Sequence, residues 1–81
     1  MQARLTNTAL KQITPTASPF EIVDPELKGF LLRVQPSGRK TYYYSYRNPQ
    51  GKKVRIKIGQ AGAITVKQAR DQATQLAGKV S

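Results

Sequence analysis

Eleven basic residues follow one another through the middle of the chain without an acidic residue among them. They are Lys28, Arg33, Arg39, Lys40, Arg47, Lys52, Lys53, Arg55, Lys57, Lys67 and Arg70. The whole chain has 14 Lys and Arg against 4 Asp and Glu, which gives a formal net charge of +10 at pH 7. A surface that needs only to be soluble usually mixes both signs. The pattern therefore favours an anionic partner, either nucleic acid, an anionic membrane or an acidic protein.

Most catalytic and metal-binding chemistry is excluded by the residue types that the chain lacks. It has no His and no Cys among its 81 residues, so it has no imidazole base, no thiolate zinc site and no disulfide framework. No apolar run approaches the roughly 20 residues of a membrane span, and the first residues do not form the apolar core of a secretory signal. We therefore expect a cytoplasmic binding domain with no cofactor, no metal and no membrane partner, and not an enzyme.

The elements that must position the basic residues can be read from local patterns. Residues 6–13 predict a short helix, with Thr6 as its N-cap and a hydrophobic staple between Leu5 and Leu10. Alternating apolar residues between short, turn-rich connections predict four strands. The strands are residues 20–23, 30–35, 40–47 and 53–58.

A second helix is predicted over residues 66–77. Thr65 and Gln68 have the spacing of a capping box, and Gly78 is placed as the residue that ends the helix. One apolar stripe follows the helical period. It consists of Val66, Ala69, Ala73, Leu76 and Val80. The sequence thus predicts an α+β fold, with a three- to four-stranded antiparallel sheet packed on a C-terminal helix and a short N-terminal helix.

Alternation along the strands predicts which side chains face away from the helix. Three consecutive tyrosines blur the pattern in the third strand, and its more polar set is assigned outward. Tyr42, Tyr44 and Tyr46 are then core residues with their hydroxyls at the rim. The outward face is expected to hold five cations and no anion. Its residues are Arg33, Gln35, Thr41, Tyr43, Ser45, Arg47, Lys53, Arg55 and Lys57.

Such a face has the chemistry of a DNA-binding surface. A two- or three-stranded β surface fits the major groove, where arginine can pair with guanine and Gln35 with adenine. Lysines and hydroxyls suit phosphates. For Lys53, Arg55 and Lys57 an alternative stays open, because basic residues also protect a solvated edge strand from aggregation.

Five blocks of the chain, in order, resemble the N-terminal arm-type DNA-binding domain of phage and genomic-island tyrosine recombinases (integrases). The blocks are LTNTALK at residues 5–11, LKGFLLRV at 27–34, PSGRKTYYYSYR at 36–47, RIKIG at 55–59 and TVKQAR at 65–70. The chain departs from the family pattern in two places. Ser45 stands where many members have an arginine, which removes a phosphate or base contact. The loop over residues 59–63 lacks the aromatic residue and the proline that are often found there.

The resemblance implies a three-stranded antiparallel sheet on a C-terminal helix, with the sheet inserted into the major groove of arm-type sites. Whole integrases continue with core-binding and catalytic domains. We therefore expect residues 1–81 to be a single arm domain of a longer recombinase from a prophage or another mobile element, located at the bacterial nucleoid. Its partners would be double-stranded DNA of the attachment region and, through the absent domains, other integrase protomers. Recombinases of this type use a tyrosine nucleophile with arginine and histidine helpers, so this His-free fragment is expected to bind DNA and not to cleave it.

Two other functions are compatible with the basic composition. An RNA-binding module, for example a ribosome-associated one, would stack bases on exposed aromatic residues, but only Tyr43 is predicted to face outward. A basic adaptor for an acidic protein leaves unexplained why one sheet face collects the arginines.

Overall fold

The strands form one antiparallel sheet in sequence order, β1-β2-β3-β4, in the computed structural model, which describes residues 5–80. The bounds of the elements are α1 Asn7–Gln12, β1 Phe20–Val23, β2 Phe30–Val34, β3 Lys40–Arg47, β4 Lys53–Gln60 and α2 Val66–Val80. The predicted α+β class is confirmed, with four strands where the resemblance implied three. The bounds of β1 and β3 agree with the prediction, whereas β2 is one residue shorter and β4 is two residues longer.

The turn between β3 and β4 shows why these strands pair as a hairpin. The Gly51 amide donates to the Asn48 carbonyl oxygen at 2.8 Å, and the Asn48 side chain accepts from the Lys52 amide at 2.9 Å. Gly51 has a φ of +82°, a conformation that glycine adopts without strain. A tight turn that ends in such a glycine is one of the common hairpin connections.

A β-bulge separates the two halves of the β3–β4 pair. Tyr42 lies opposite Gly59 and Tyr43 lies opposite Lys57, so Ile58 is the extra residue of β4. A bulge leaves one residue unpaired and increases the local twist of the sheet. Beyond the bulge, β4 continues to Gln60, which pairs with Thr41. Before the bulge, Lys57 pairs with Tyr43 and lies on the same face of the sheet.

Both helices begin with the caps that the sequence predicts. Thr6 Oγ1 accepts from the Ala9 amide at 3.0 Å at the start of α1. At the start of α2, the Thr65 amide donates to Gln68 Oε1 at 2.9 Å, and the Gln68 amide donates to Thr65 Oγ1 at 3.1 Å. The prediction that Gly78 ends the second helix is wrong, because α2 continues to Val80. A glycine inside a helix costs only about 1 kcal/mol relative to alanine, so Gly78 does not stop the helix.

The core lies between α2 and one face of the sheet. Its buried members are Leu5, Ile22, Phe30, Leu32, Val34, Tyr42, Tyr44, Val66, Ala69 and Ala73. Four residues of the predicted α2 stripe pack here, and the side chain of the fifth, Val80, lies outside the described part. The small alanines let the helix approach the sheet closely, which gives this short chain one contiguous core.

Tyr42 departs from the expectation that the tyrosine hydroxyls reach the rim. The residue is 0% exposed, and its ring stacks on Phe30 with 5.8 Å between the ring centroids. No described residue forms a hydrogen bond with its buried hydroxyl. Burial raises the pKa of the Tyr42 phenol, because the ionised form loses its hydration. The expectation was wrong here because Tyr42 is directed into the middle of the core.

Asp24 connects three segments that are distant in sequence. Its buried carboxylate accepts from the Leu5 amide at 3.1 Å and from Arg70 Nη2 at 2.7 Å. Those two bonds are to Asp24 Oδ2, whereas Asp24 Oδ1 accepts from the amides of Glu26 and Leu27. Arg70 also donates to the Leu5 carbonyl oxygen at 2.8 Å. This network joins the start of α1, the end of β1 and α2, and it removes Arg70 from the set of unpaired bases.

Candidate nucleic-acid interface

The face of the sheet that points away from α2, called the outer face below, brings most of the predicted site residues together. The strand pairs on it are Arg33 with Thr41, Tyr43 with Lys57, Ser45 with Arg55 and Arg47 with Lys53. Cross-strand partners share one face of a sheet, and so do alternate residues of one strand. The structure therefore confirms which alternating set of residues the sequence assigned to the outer face in β2, β3 and β4.

Gln35 and Thr41 are less well placed than the sequence predicts. β2 ends at Val34, and the Gln35 amide already donates to the Arg39 carbonyl oxygen within the turn. Gln35 therefore lies beyond the strand, where alternation no longer sets the direction of its side chain. Thr41 is on the outer face by register but is only 5% exposed. Most of its surface is therefore covered in this conformation.

The outer face also holds an acid, which contradicts the prediction of a face without an anion. Glu21 of β1 pairs with Arg33 of β2 in register. Arg33 Nη1 donates to Glu21 Oε2 at 3.1 Å, and Arg55 donates to both carboxylate oxygens, with 3.1 Å between Nη2 and Oε1. Arg55 thus reaches from β4 to the opposite edge of the sheet, and its guanidinium lies over the Tyr43 ring, 5.5 Å from the centroid.

The environment of Glu21 keeps it ionised. Burial is the largest single influence and by itself raises the pKa of the carboxyl, but the hydrogen bonds and charges of Arg55 and Arg33 together outweigh it. The pKa of Glu21 therefore lies below its ordinary value. The sequence contained a signal for the face on which Glu21 lies, because Glu21 alternates with Phe20 and Ile22, which pack on the core.

Two apolar residues of the outer face lie next to this ion-pair cluster. Leu31 is only 4% exposed, and its strand partners are Tyr43 and Val23. Val23, on the edge strand β1, is 38% exposed. The outer face is therefore partly apolar on the β1–β2 side and most strongly charged toward β4.

Three cations of the outer face have no acid beside them in the described part of the chain. No acidic side chain of residues 5–80 lies within 4 Å of the charged groups of Arg47, Lys53 or Lys57. Arg47 and Lys53 are direct cross-strand partners, and both are exposed. Like charges directly opposite each other are destabilising, so this end of the hairpin is a site where an anion would relieve repulsion.

A second basic region, which the sequence reasoning missed, lies at the other end of the sheet. A shallow groove there is lined by Leu10, Lys11, Ser37, Gly38, Arg39, Lys40, Gln60, Ala61 and Gly62. The lining includes three cations and no acid. Gln60 connects the groove to the outer face, because it is the strand partner of Thr41. Only the meeting of α1 with two turns creates this groove, so alternation within single strands could not predict it.

The described residues form no group of three or more acidic side chains that could hold a metal ion. None of the helices within residues 5–80 is long and apolar enough to cross a membrane.

Comparison with known protein families assigns a family to the chain that carries this surface. The sequence model of the arm DNA-binding domain family matches residues 5–81. A search of the curated proteins found no match for the chain. The family match includes all four strands and both helices, and thus every residue of the outer face. The chain therefore belongs to the arm DNA-binding domain family of integrases, whose members bind DNA and are not catalytic by themselves.

Proposed function

We propose that the domain binds arm-type sites in double-stranded DNA by placing the outer face of β2–β4 in the major groove. This anchoring would support integration and excision of a mobile element by a parent tyrosine recombinase at the bacterial nucleoid, of which residues 1–81 form the single arm domain. The observation that carries the proposal is the outer face itself, where Arg33, Arg47, Lys53, Arg55 and Lys57 share one surface.

The dimensions of the sheet suit the groove. Neighbouring strands lie about 4.8 Å apart, so the backbone of three strands spans about 10 Å. The major groove of B-DNA is about 12 Å wide and admits a β-ribbon. The helix α2 packs on the opposite face of the sheet, so it does not obstruct this approach.

Position in the sheet divides the cations into two roles. Arg33 is on β2, in the interior of the sheet, and its planar guanidinium can form paired bonds with the guanine edge. Lys53 and Lys57 lie on the edge strand β4, and Arg47 lies beside the β3–β4 turn. Edge positions approach the walls of the groove, where phosphates bind the point charge of a lysine.

Salt dependence of binding to a duplex tests the electrostatic part of the proposal. If three to five phosphates are contacted, log affinity against log salt has a slope of about −3 to −5. Lys53→Ala and Lys57→Ala should each weaken binding and reduce the slope by about 1. Lys67→Ala on the exposed side of α2 is the matched control and should change neither value. A slope near zero for the wild-type chain, or equal effects of all three variants, would contradict the proposal.

Selection of bound sequences from a random duplex library tests the specific part. The wild-type chain should enrich one motif, and Arg33→Ala should reduce its preference for that motif over scrambled duplex by about 1–3 kcal/mol. Lys53→Ala should weaken binding to both duplexes about equally. Stronger binding to single-stranded RNA than to duplex DNA would favour the RNA-binding alternative.

A further inference from the structure

Glu21 engages two of the arginines that the proposed function assigns to DNA. The carboxylate accepts from Arg33 on the neighbouring strand and from Arg55 on the far edge strand. The side chains of all three residues are partly accessible, with exposed fractions of 27% for Glu21, 33% for Arg33 and 32% for Arg55. The cluster therefore lies where a nucleic acid on the outer face would meet it.

The geometry of this cluster resembles the recognition of DNA by arginine. Arg55 donates from both terminal nitrogens to the two oxygens of Glu21. The same two-pronged edge of a guanidinium pairs with a phosphate or with the O6 and N7 atoms of guanine. An arginine that offers this edge to Glu21 cannot offer it to DNA at the same time. Glu21 thus occupies the position of an anionic acceptor on the binding face.

We propose that Glu21 acts as an internal competitor of DNA for Arg33 and Arg55, an inference that rests on the proposed function of the outer face. DNA of any sequence can bind through its phosphates to Arg47, Lys53 and Lys57, for which the described residues supply no acid. Arg33 and Arg55 leave Glu21 only when the DNA offers acceptors of comparable geometry. Glu21 is therefore a residue that determines specificity, because it suppresses binding to arbitrary sequences.

The ion pairs of Glu21 are partly exposed, which allows DNA to compete with Glu21 for the two arginines. Partly exposed pairs are individually weak and are screened by salt, so DNA can displace Glu21 without a large barrier. The guanidinium of Arg55 lies over the Tyr43 ring, and this contact does not require Glu21. Removal of the Glu21 charge therefore leaves Arg55 near the outer face and free to bind phosphate.

Replacement of Glu21 by neutral residues tests the inference. Glu21→Gln and Glu21→Thr should each bind a random-sequence 20-base-pair duplex about three- to tenfold more tightly than the wild-type chain, since one or two weak ion pairs no longer compete. The salt slope should become steeper by about 1–2, because up to two more phosphates are contacted. The matched control is Asp71→Asn, which removes the same charge from an exposed position on α2 and should change affinity less than twofold.

A combined variant separates local competition from a general charge effect. In a chain that also carries Arg33→Ala and Arg55→Ala, Glu21→Gln should no longer raise affinity by more than twofold. Melting curves of every variant verify that the fold is retained. Unchanged or weaker binding by Glu21→Gln and Glu21→Thr, next to normal salt-dependent binding by the wild-type chain, would overturn this inference alone. Absence of salt-dependent duplex binding by the wild-type chain would overturn the proposed function as well.

Discussion

Replacement of Asp24 by asparagine is the sharpest test of what holds the domain together. The Asp24 carboxylate is buried and accepts four hydrogen bonds, from Arg70 and from the amides of Leu5, Glu26 and Leu27. An asparagine keeps one acceptor oxygen for Glu26 and Leu27. Its amide group would then face the Leu5 N–H and the Arg70 guanidinium, which are both donors. The variant therefore loses an ion pair and opposes donors to donors in a buried place.

The expected loss is a large part of the total stability. Removal of one partner of a buried ion pair costs about 3–5 kcal/mol. The lower end applies here, about 3 kcal/mol, because the Arg70 side chain is 25% exposed and keeps part of its hydration. A domain of this size is stable by about 4–12 kcal/mol. Since 1 kcal/mol shifts Tm by about 4–8 °C in such domains, Asp24→Asn should lower Tm by about 12–24 °C.

Thermal unfolding followed by circular dichroism measures this shift. Asp71→Asn is the matched control, because Asp71 is exposed and surface substitutions usually change stability by less than about 0.5 kcal/mol. If Asp24→Asn melts within about 4 °C of the wild-type chain, the network does not join α1, β1 and α2 as argued.

Acidification provides a second measurement on the same carboxylate. Burial raises the pKa of Asp24, but the hydrogen bonds from Arg70 and from the backbone amides outweigh burial, and the pKa lies below the usual 3.8. A carboxyl whose pKa is lower in the folded state stabilises fully above its unfolded-state pKa. That stabilisation is lost as the pH falls from there through the folded-state value. The difference in stability between wild type and Asp24→Asn should therefore be constant near neutral pH and should shrink below about pH 4.

Four further substitutions have distinct expected outcomes. Tyr42→Phe removes a buried hydroxyl that has no partner among the described residues. In urea titrations the free energy of unfolding should stay unchanged or rise by up to about 1–2 kcal/mol. A decrease of more than about 1 kcal/mol would show that the hydroxyl has a hydrogen-bond partner. Gly29→Ala should destabilise by more than about 1 kcal/mol, since Gly29 has a φ of +94° and an added Cβ would collide with the Ser45 carbonyl oxygen; normal melting would contradict this backbone geometry. Ile56 is half-buried opposite Tyr44. Ile56→Ala should lower the free energy of unfolding by about 1–3 kcal/mol without changing the salt slope of DNA binding. Arg55→Ala should melt nearly as the wild type and bind DNA less tightly.

Local sequence patterns were sufficient for the elements and for the phase of the outer face. The caps at Thr6 and Thr65 involve residues at most three positions apart, and alternation is likewise a property of one strand. Even the run of three tyrosines was assigned correctly, because Tyr43 is flanked by polar Thr41 and Ser45 in its own alternating set. Local chemistry of this kind is visible in a sequence without knowledge of the tertiary structure.

Three features that the sequence did not reveal depend on which distant segments meet. The Glu21 contact requires that β1 pairs with β2 and that Arg55 crosses the sheet, a separation of 34 residues. The bulge at Ile58 arises from the register between β3 and β4, which neither strand determines alone. The buried hydroxyl of Tyr42 depends on where α2 lies. Tertiary pairing, and not local propensity, decides these three features.

The positions of the acids determine where the charge of this strongly basic domain is neutralised internally. Glu21 and Asp24 are only three residues apart, yet they pair with Arg33, Arg55 and Arg70 from β2, β4 and α2. A high net charge of one sign destabilises the compact state through self-repulsion, and these pairs reduce the repulsion where the elements pack together. On the outer face, the cations that remain without a described acid are Arg47, Lys53 and Lys57, at the β3–β4 hairpin and the β4 edge. Within the outer face, internal neutralisation thus leaves the uncompensated charge on the part that is proposed to meet the DNA backbone.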